Sequence, residues 1–170
     1  MHTRHTVIDS PLGELTLVAD GDALTGVYFR HHWHPPTAGA LGRSVEPVAD
    51  EIFRCAAEQL HQYFAGERTQ FDVRIALAGE PRQRRVWKLL PDIGYGETIT
   101  YGELAAALAD GSTAYEVGQA VGRNPLSIVV PCHRVVGKNG APTGYAGGVS
   151  RKRFLLDLEA PVPAVAGRLF

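Results

Sequence analysis

The chain has 170 residues, of which 45% are hydrophobic and 21% charged, with a net charge of −1. That length and balance suit one large domain or two small ones with a packed core, and exclude wholesale disorder. No apolar run nears the ~20 residues of a membrane span, and the first residues lead into no apolar signal segment. Two cysteines, Cys55 and Cys132, build neither a disulfide framework nor a four-cysteine zinc site. A cytoplasmic location is expected, since reducing conditions suit such thiols.

The small net charge hides an asymmetry. Residues 1–81 carry 6 Lys/Arg against 11 Asp/Glu, whereas residues 82–170 carry 11 Lys/Arg against 7 Asp/Glu. A basic second half points to an anionic partner such as nucleic acid. Scattered surface charge produces the same count, and charge alone does not separate the two.

The first half has the pattern of a small α/β unit. Residues 6–8, 15–19 and 23–29 are strand-like, with Asp20-Gly21-Asp22 as a hairpin turn between the last two. Residues 31–45, with Pro35 and Pro36, predict a loop. From 49 to 65 the apolar positions Ile52, Cys55, Ala56, Leu60, Tyr63 and Phe64 recur at helical spacing, with Gly66 as the stop. Cys55 falls on that apolar face and is expected in the core. Residues 71–76 suggest one more strand, and Gly79-Glu80-Pro81 a linker.

The second half predicts mostly helix. Helices are expected over 83–90, ended by Pro91, over 101–109 and over 114–121, with a break at Asp110-Gly111-Ser112. Two short helices around such a break fit a helix-turn-helix. Residues 126–130 suggest a buried strand or extended segment, 137–148 a glycine-rich loop or wing, and 150–158 a last helix. The expected fold is therefore an α/β N-terminal domain (small antiparallel sheet plus helix) over 1–76 and a linker over 77–82. A mainly helical winged helix-turn-helix C-terminal domain follows over 83–170.

Pro131-Cys132-His133-Arg134 is the sharpest chemical feature. The apolar run before it carries Cys132 inward. A buried thiol beside a histidine becomes the nucleophilic thiolate; a buried cysteine is equally a small hydrophobe. His31, His32 and His34 are read as a solvated loop in preference to a metal site, because the first half supplies no cysteine–histidine ligand pattern.

Further elements stand in order around this motif. They are Arg85-Val86-Trp87, Tyr95-Gly96-Glu97-Thr98, Tyr101-Gly102, Val117-Gly118, Asn124-Pro125, Gly144-Tyr145 and the run from Leu155 to Glu159. With Ile128 through Val135 at the same spacing, the chain resembles the O6-alkylguanine-DNA alkyltransferases (methylated-DNA–protein-cysteine methyltransferases). Ser10-Pro11-Leu12-Gly13 resembles their bacterial members.

The resemblance implies direct, irreversible, single-turnover repair. The alkyl group of O6-alkylguanine, and of O4-alkylthymine, passes to Cys132 after the base is flipped out of a duplex bound through its minor groove. It implies that His133 deprotonates Cys132 through a water, that Glu159 polarises His133, and that Asn124 holds the cysteine loop. Tyr101 is implied to donate toward guanine N3 and Val121 to floor the base pocket. Backbone groups of Cys132 and Val135 would take the exocyclic amine, and the backbone at Tyr145 and Ala146 would face O6. Arg134 is expected to join the two domains. Ala114, Tyr115, Glu116, Gly118 and Arg123 fall on the DNA side of the inserted helix. No cofactor, metal, membrane or obligatory protein partner is implied.

Three residues depart from the family pattern. Tyr115 stands where the family has its finger arginine, Glu116 where it has a small residue, and Arg82 where it has phenylalanine. A carboxylate at 116 is expected to repel phosphate, whereas an aromatic at 115 can wedge a base stack. The alternative function is a lesion-binding or weakly DNA-binding relative without efficient repair.

Overall fold

Asp20-Gly21-Asp22 reverses the chain between two apolar runs, and the expected hairpin forms there from β2 (Leu15–Asp20) and β3 (Ala23–Phe29). β1 (Thr3–Ile8) lies antiparallel on the other side of β2, with Thr3 opposite Asp20 and Ile8 opposite Leu15. The computed structural model describes residues 2–32 and 34–161; the expected C-terminal domain beyond 161 lies outside them.

A fourth strand, β4 (Arg43–Ser44), pairs in parallel with β1 inside the expected loop, so the sheet runs β3-β2-β1-β4 and is mixed. Gly42 makes this possible. Its φ is 67°, and a Cβ there would lie 2.0 Å from the Thr3 carbonyl oxygen, so no other residue fits.

α1 (Glu51–Phe64) covers the sheet with Phe53, Ala56, Leu60 and Tyr63, all buried at helical spacing. Asp50 caps it, accepting from the amides of Ile52 and Phe53 and from Arg4 Nε at 2.6 Å. Cys55 corrects its expectation. It is only half-buried, at the rim of the packed face, and accepts from Gln59 Nε2.

The second half holds α2 (Pro81–Leu89), α3 (Tyr101–Leu108), α4 (Ala114–Gly122) and α5 (Val149–Glu159). α2 starts two residues before the expected helix, because the Glu80–Gln83 capping box and Pro81 fit its first turn. Thr100–Glu103 and Thr113–Glu116 make the same box at the starts of α3 and α4. Left-handed Ala109 ends α3 one residue before the expected break, which holds left-handed Gly111. Trp87 of α2 is buried between α3 and α4 and donates from Nε1 to Ala120 O at 2.8 Å.

The strand expected at 71–76 and the strand or extended segment expected at 126–130 are corrected. Residues 71–76 keep one bridge, Ile75 to Leu24, and residues 126–130 keep one, Leu126 to Val27. Both lean on the free edge of β3, where Val27 N donates to Pro125 O at 2.8 Å. After Leu126 the chain turns at once, with Ile128 at φ 73°. An unforeseen parallel pair, β5 (Ile99–Thr100) and β6 (Val135–Val136), brackets α3. The apolar core runs unbroken from Leu17 and Leu60 through Leu126 and Val86 to Leu155. No helix among the described residues is long and apolar enough to cross a membrane.

Asp50 joins helix cap and ion pair in one carboxylate, so Asp50→Ala should cost about 1–2 kcal/mol at neutral pH. The hydrogen bond from Arg4 depresses its pKa despite some burial. This stabilisation is full above the ordinary aspartate range and is lost as pH falls through the depressed value. Urea unfolding of both proteins across acid pH checks this: the gap between them should close toward the acid end.

Candidate active site

A tight turn over Cys132–Arg134 builds the site. The amide of Cys132 donates to Val130 O at 2.8 Å and that of Arg134 to Pro131 O at 3.1 Å. The turn presents three consecutive side chains, Cys132, His133 and Arg134, to the interior. Its approach is strained, because β-branched Ile128 adopts left-handed backbone at a cost of ~1–3 kcal/mol. Asn124 holds this loop. Its Nδ2 donates to Val130 O at 2.8 Å and its Oδ1 accepts from Leu126 N at 3.0 Å, both buried.

His133 and Arg134 converge on Glu159, the last residue of α5. His133 Nε2 lies 2.7 Å from Glu159 Oε2, while Arg134 donates from Nε to Oε1 at 2.8 Å and from Nη2 to Oε2 at 3.0 Å. Tyr63 of α1 donates to Oε2 at 2.5 Å. Burial opposes the charge on Glu159, but the hydrogen bonds from His133 and Arg134 outweigh it and hold the carboxyl at about 2. Glu159 is therefore an ionised acceptor, and Nε2 must carry the imidazole proton. The neutral ring then has its lone pair on Nδ1, which is buried with no hydrogen-bond partner among the described residues. Burial lowers the pKa of His133, and the Glu159 contact opposes that.

Burial pushes the Cys132 thiol up, while Asn124 and the charge on Lys152 pull it back. Lys152 carries no signal in the sequence for the place it takes here. It sits in the basic run Arg151-Lys152-Arg153, which carries no signal of burial, yet it is wholly enclosed. Its Nζ donates to Val135 O at 2.5 Å, Thr143 O at 2.8 Å and the Tyr101 hydroxyl at 3.4 Å. Burial lowers it to about 8, and the neighbouring Cys132 opposes the shift.

Two of these contacts bear on expected roles. The Tyr101 hydroxyl donates to the carbonyls of Thr143 and Gly144 at 3.1 and 3.3 Å, so its proton is engaged within the protein. The carbonyl of Val135 is taken by Lys152. Arg134 also departs from expectation. Its bonds, including Nη1 to Ile93 O at 2.6 Å, stay within the second half, and Tyr63 makes the link to the first.

Beside Tyr101 lies an open cavity of about 600 Å³ between α4 and the 143–144 backbone. Tyr101, Ala114, Tyr115, Gly118, Arg123 and His34 line it. Val121, Val135, Tyr145 and Ala146 are buried and are not among its lining residues. Tyr115 is 73% exposed and accepts from Gln119 Nε2 at 2.9 Å. The expectation for Glu116 changes, because one carboxylate oxygen accepts from Thr113 N and the other pairs with Arg82 at 3.0 Å. The solvated-histidine expectation fails for His32, which is buried, stacks on Phe29 and accepts from its amide. Among the described residues no three His, Cys, Asp or Glu side chains are grouped to share a metal ion.

Residues 3–77 match the family model of the 6-O-methylguanine DNA methyltransferase ribonuclease-like domain, and residues 81–161 that of its DNA binding domain. The chain belongs to this family. It is 46% identical over 163 residues to the methylated-DNA–protein-cysteine methyltransferase of Mycobacterium tuberculosis strain H37Rv, covering 91% of each chain. It is 39% identical to the constitutive enzyme of Bacillus subtilis strain 168, covering 91% of this chain and 94% of that one. A crystal structure of Mycobacterium tuberculosis OGT in complex with DNA superposes with a TM-score of 0.83 at 46% identity, covering 94% of this chain and 96% of that one. In this family member, Tyr63 and Lys152 thus join the residues that the motif spacing had already singled out.

Glu159→Gln should destabilise by about 3–5 kcal/mol at neutral pH, because it leaves Arg134 buried beside a neutral partner. The lost stabilisation belongs to a depressed carboxylate. It is complete above the ordinary glutamate range and disappears as pH falls toward about 2. Chemical denaturation of both proteins at neutral and strongly acid pH should show the difference shrink.

Proposed function

We propose that this chain repairs alkylated DNA by transferring the alkyl group of O6-alkylguanine, and of O4-alkylthymine, to its own Cys132. The observation that carries this reading is the ionised Glu159 on His133 Nε2, which leaves Nδ1 as a free base one residue from a buried thiol. Cys132 Sγ attacks the alkyl carbon, forming a C–S bond as the C–O6 bond breaks. The thiol proton passes to His133 Nδ1 through a water, and the base leaves as the guanine anion, which then takes up a proton. The product is a thioether, which no group here can reverse, so each chain acts once.

DNA is the partner. The guanine O6 faces inward in a duplex, so the base must swing out, at a cost of a few kcal/mol. We place α4 in the minor groove, with Tyr115 entering the stack and Arg123 toward the phosphates. The base then enters the cavity beside Tyr101 and Gly118. For Tyr101 to reach guanine N3, its hydroxyl must exchange the Thr143 and Gly144 carbonyls for the base, and Lys152, which already donates to the Thr143 carbonyl, is placed to hold that one in its stead. Lys152 also adds positive charge near the developing thiolate. The weak-binding alternative loses support, since Arg82 pairs with the carboxylate of Glu116.

Incubation with O6-benzylguanine or O6-methylguanine DNA should add one alkyl group to Cys132 by intact-mass spectrometry. Cys132→Ala should stay unmodified while still folding, and no adduct on the parent with either substrate would end the reading. His133→Gln should slow transfer by ~10²–10⁴-fold, the usual worth of general-base assistance.

Tyr115→Arg should raise duplex affinity and the transfer rate on DNA, most at low salt where cation–phosphate contacts count most. The rate on free O6-benzylguanine should barely change, since no base is flipped. Rates of both proteins on both substrates at two salt concentrations decide whether position 115 enters the duplex.

A further inference from the structure

Tyr63 is fully buried, lies 96 residues from Glu159 in sequence, and comes from the half of the chain that supplies none of the other donors to Glu159. Its hydroxyl meets the same carboxylate oxygen, Oε2, that His133 Nε2 uses; Arg134 Nη2 is a third donor to that atom. A carboxylate oxygen offers about two lone-pair sites, so the three donors compete. Each bond from Tyr63 or Arg134 withdraws negative charge that would otherwise stabilise an imidazolium.

We propose that Tyr63 is a positioning residue for alkyl transfer: by occupying Oε2 it weakens the hold of Glu159 on the imidazole and keeps His133 unprotonated, with Nδ1 ready to accept. The seating of the ribonuclease-like half on the helical half is then part of the reactive apparatus. This rests on the reading of His133 as the base.

The surroundings are consistent with it. His133 faces Glu159 and Lys152 from α5, Arg134 from its own turn, and Cys132 beside it; Tyr63 comes from α1, and Tyr95 packs near Glu159. Arg134 balances the Glu159 charge, so the remaining control over Oε2 falls to the neutral donor. Burial and then the Glu159 charge push the Tyr63 hydroxyl far above its ordinary range, so it remains a donor at every working pH.

The test is Tyr63→Phe, which keeps the ring and removes the donor. The His133 ring is followed by NMR of labelled imidazole, and transfer from free O6-benzylguanine is followed against pH. The imidazole midpoint should move up by roughly half a unit, since the ionised form gains a stronger partner. The acid limb of the rate profile should move with it, slowing transfer about threefold below the midpoint and leaving it unchanged well above. Site-specific 3-fluorotyrosine at 63, a stronger donor of nearly the same size, should shift both midpoints down, which no loss of packing imitates. Unmoved midpoints with only a lower melting temperature would overturn the proposal and leave His133 as the base. An imidazole midpoint that moves while the rate profile stays fixed would overturn the base assignment itself, and with it any bearing of Tyr63 on transfer.

Discussion

One buried carboxylate organises this molecule. Glu159 accepts from His133, Arg134 and Tyr63, which come from the cysteine turn and from α1, while Glu159 itself ends α5. Removing a charge from water is costly unless every lone pair finds a donor. Here the donors are a guanidinium, an imidazole and a phenol, and together they keep the group ionised. That ionisation decides the histidine tautomer, and the tautomer decides which nitrogen can take a proton. The ends of three separate segments are therefore fixed by the same requirement that prepares the chemistry.

The cysteine loop depends on a second set of buried polar contacts. Asn124 satisfies the groups that the abrupt turn at Leu126 would leave orphaned, and the left-handed Ile128 survives because those bonds hold it. Lys152 does the same for the far wall, joining Val135 to Thr143 and lying 5.6 Å from the Tyr101 ring centre. An enclosed cation beside a thiol favours the thiolate, against the burial that disfavours it. The thiol is thus held between two opposing effects, and small shifts in either change how readily it ionises.

The side proposed to face DNA follows different physics, because its charges are exposed. Exposed ion pairs are weak and screened by salt. The Arg82–Glu116 pair therefore matters less for stability than for the net charge that α4 presents. Two departures from the family pattern, a cation and an anion, meet each other, and Glu116 also closes a capping box with Thr113. The carboxylate is thereby turned to its own helix terminus, leaving Tyr115 as the side chain that projects.

The sequence by itself determined the elements whose signals are local. The hairpin at Gly21, the amphipathic α1, the paired helices about Gly111 and the last helix all follow from turn chemistry and apolar spacing within a few residues. The motif Pro131-Cys132-His133-Arg134 was legible in the same way, whereas the roles of Asn124 and Glu159 came only from the resemblance to the family. The tertiary structure alone decided what depends on contacts across the chain. The runs at 71–76 and 126–130 have strand composition, but each pairs with a single position on the edge of β3, so a bridge forms in place of a strand. Tyr63 reads as one more apolar helix position, because periodicity reports the ring and is silent about where its hydroxyl ends. Lys152 reads as solvent-facing, because a lysine is buried only when distant carbonyls converge on it. His32 was missed for a similar reason: a histidine among prolines gives no sign that Phe29 will cover it. Local patterns specify which face of an element is apolar; which polar atom finds which partner is settled only when the faces are brought together.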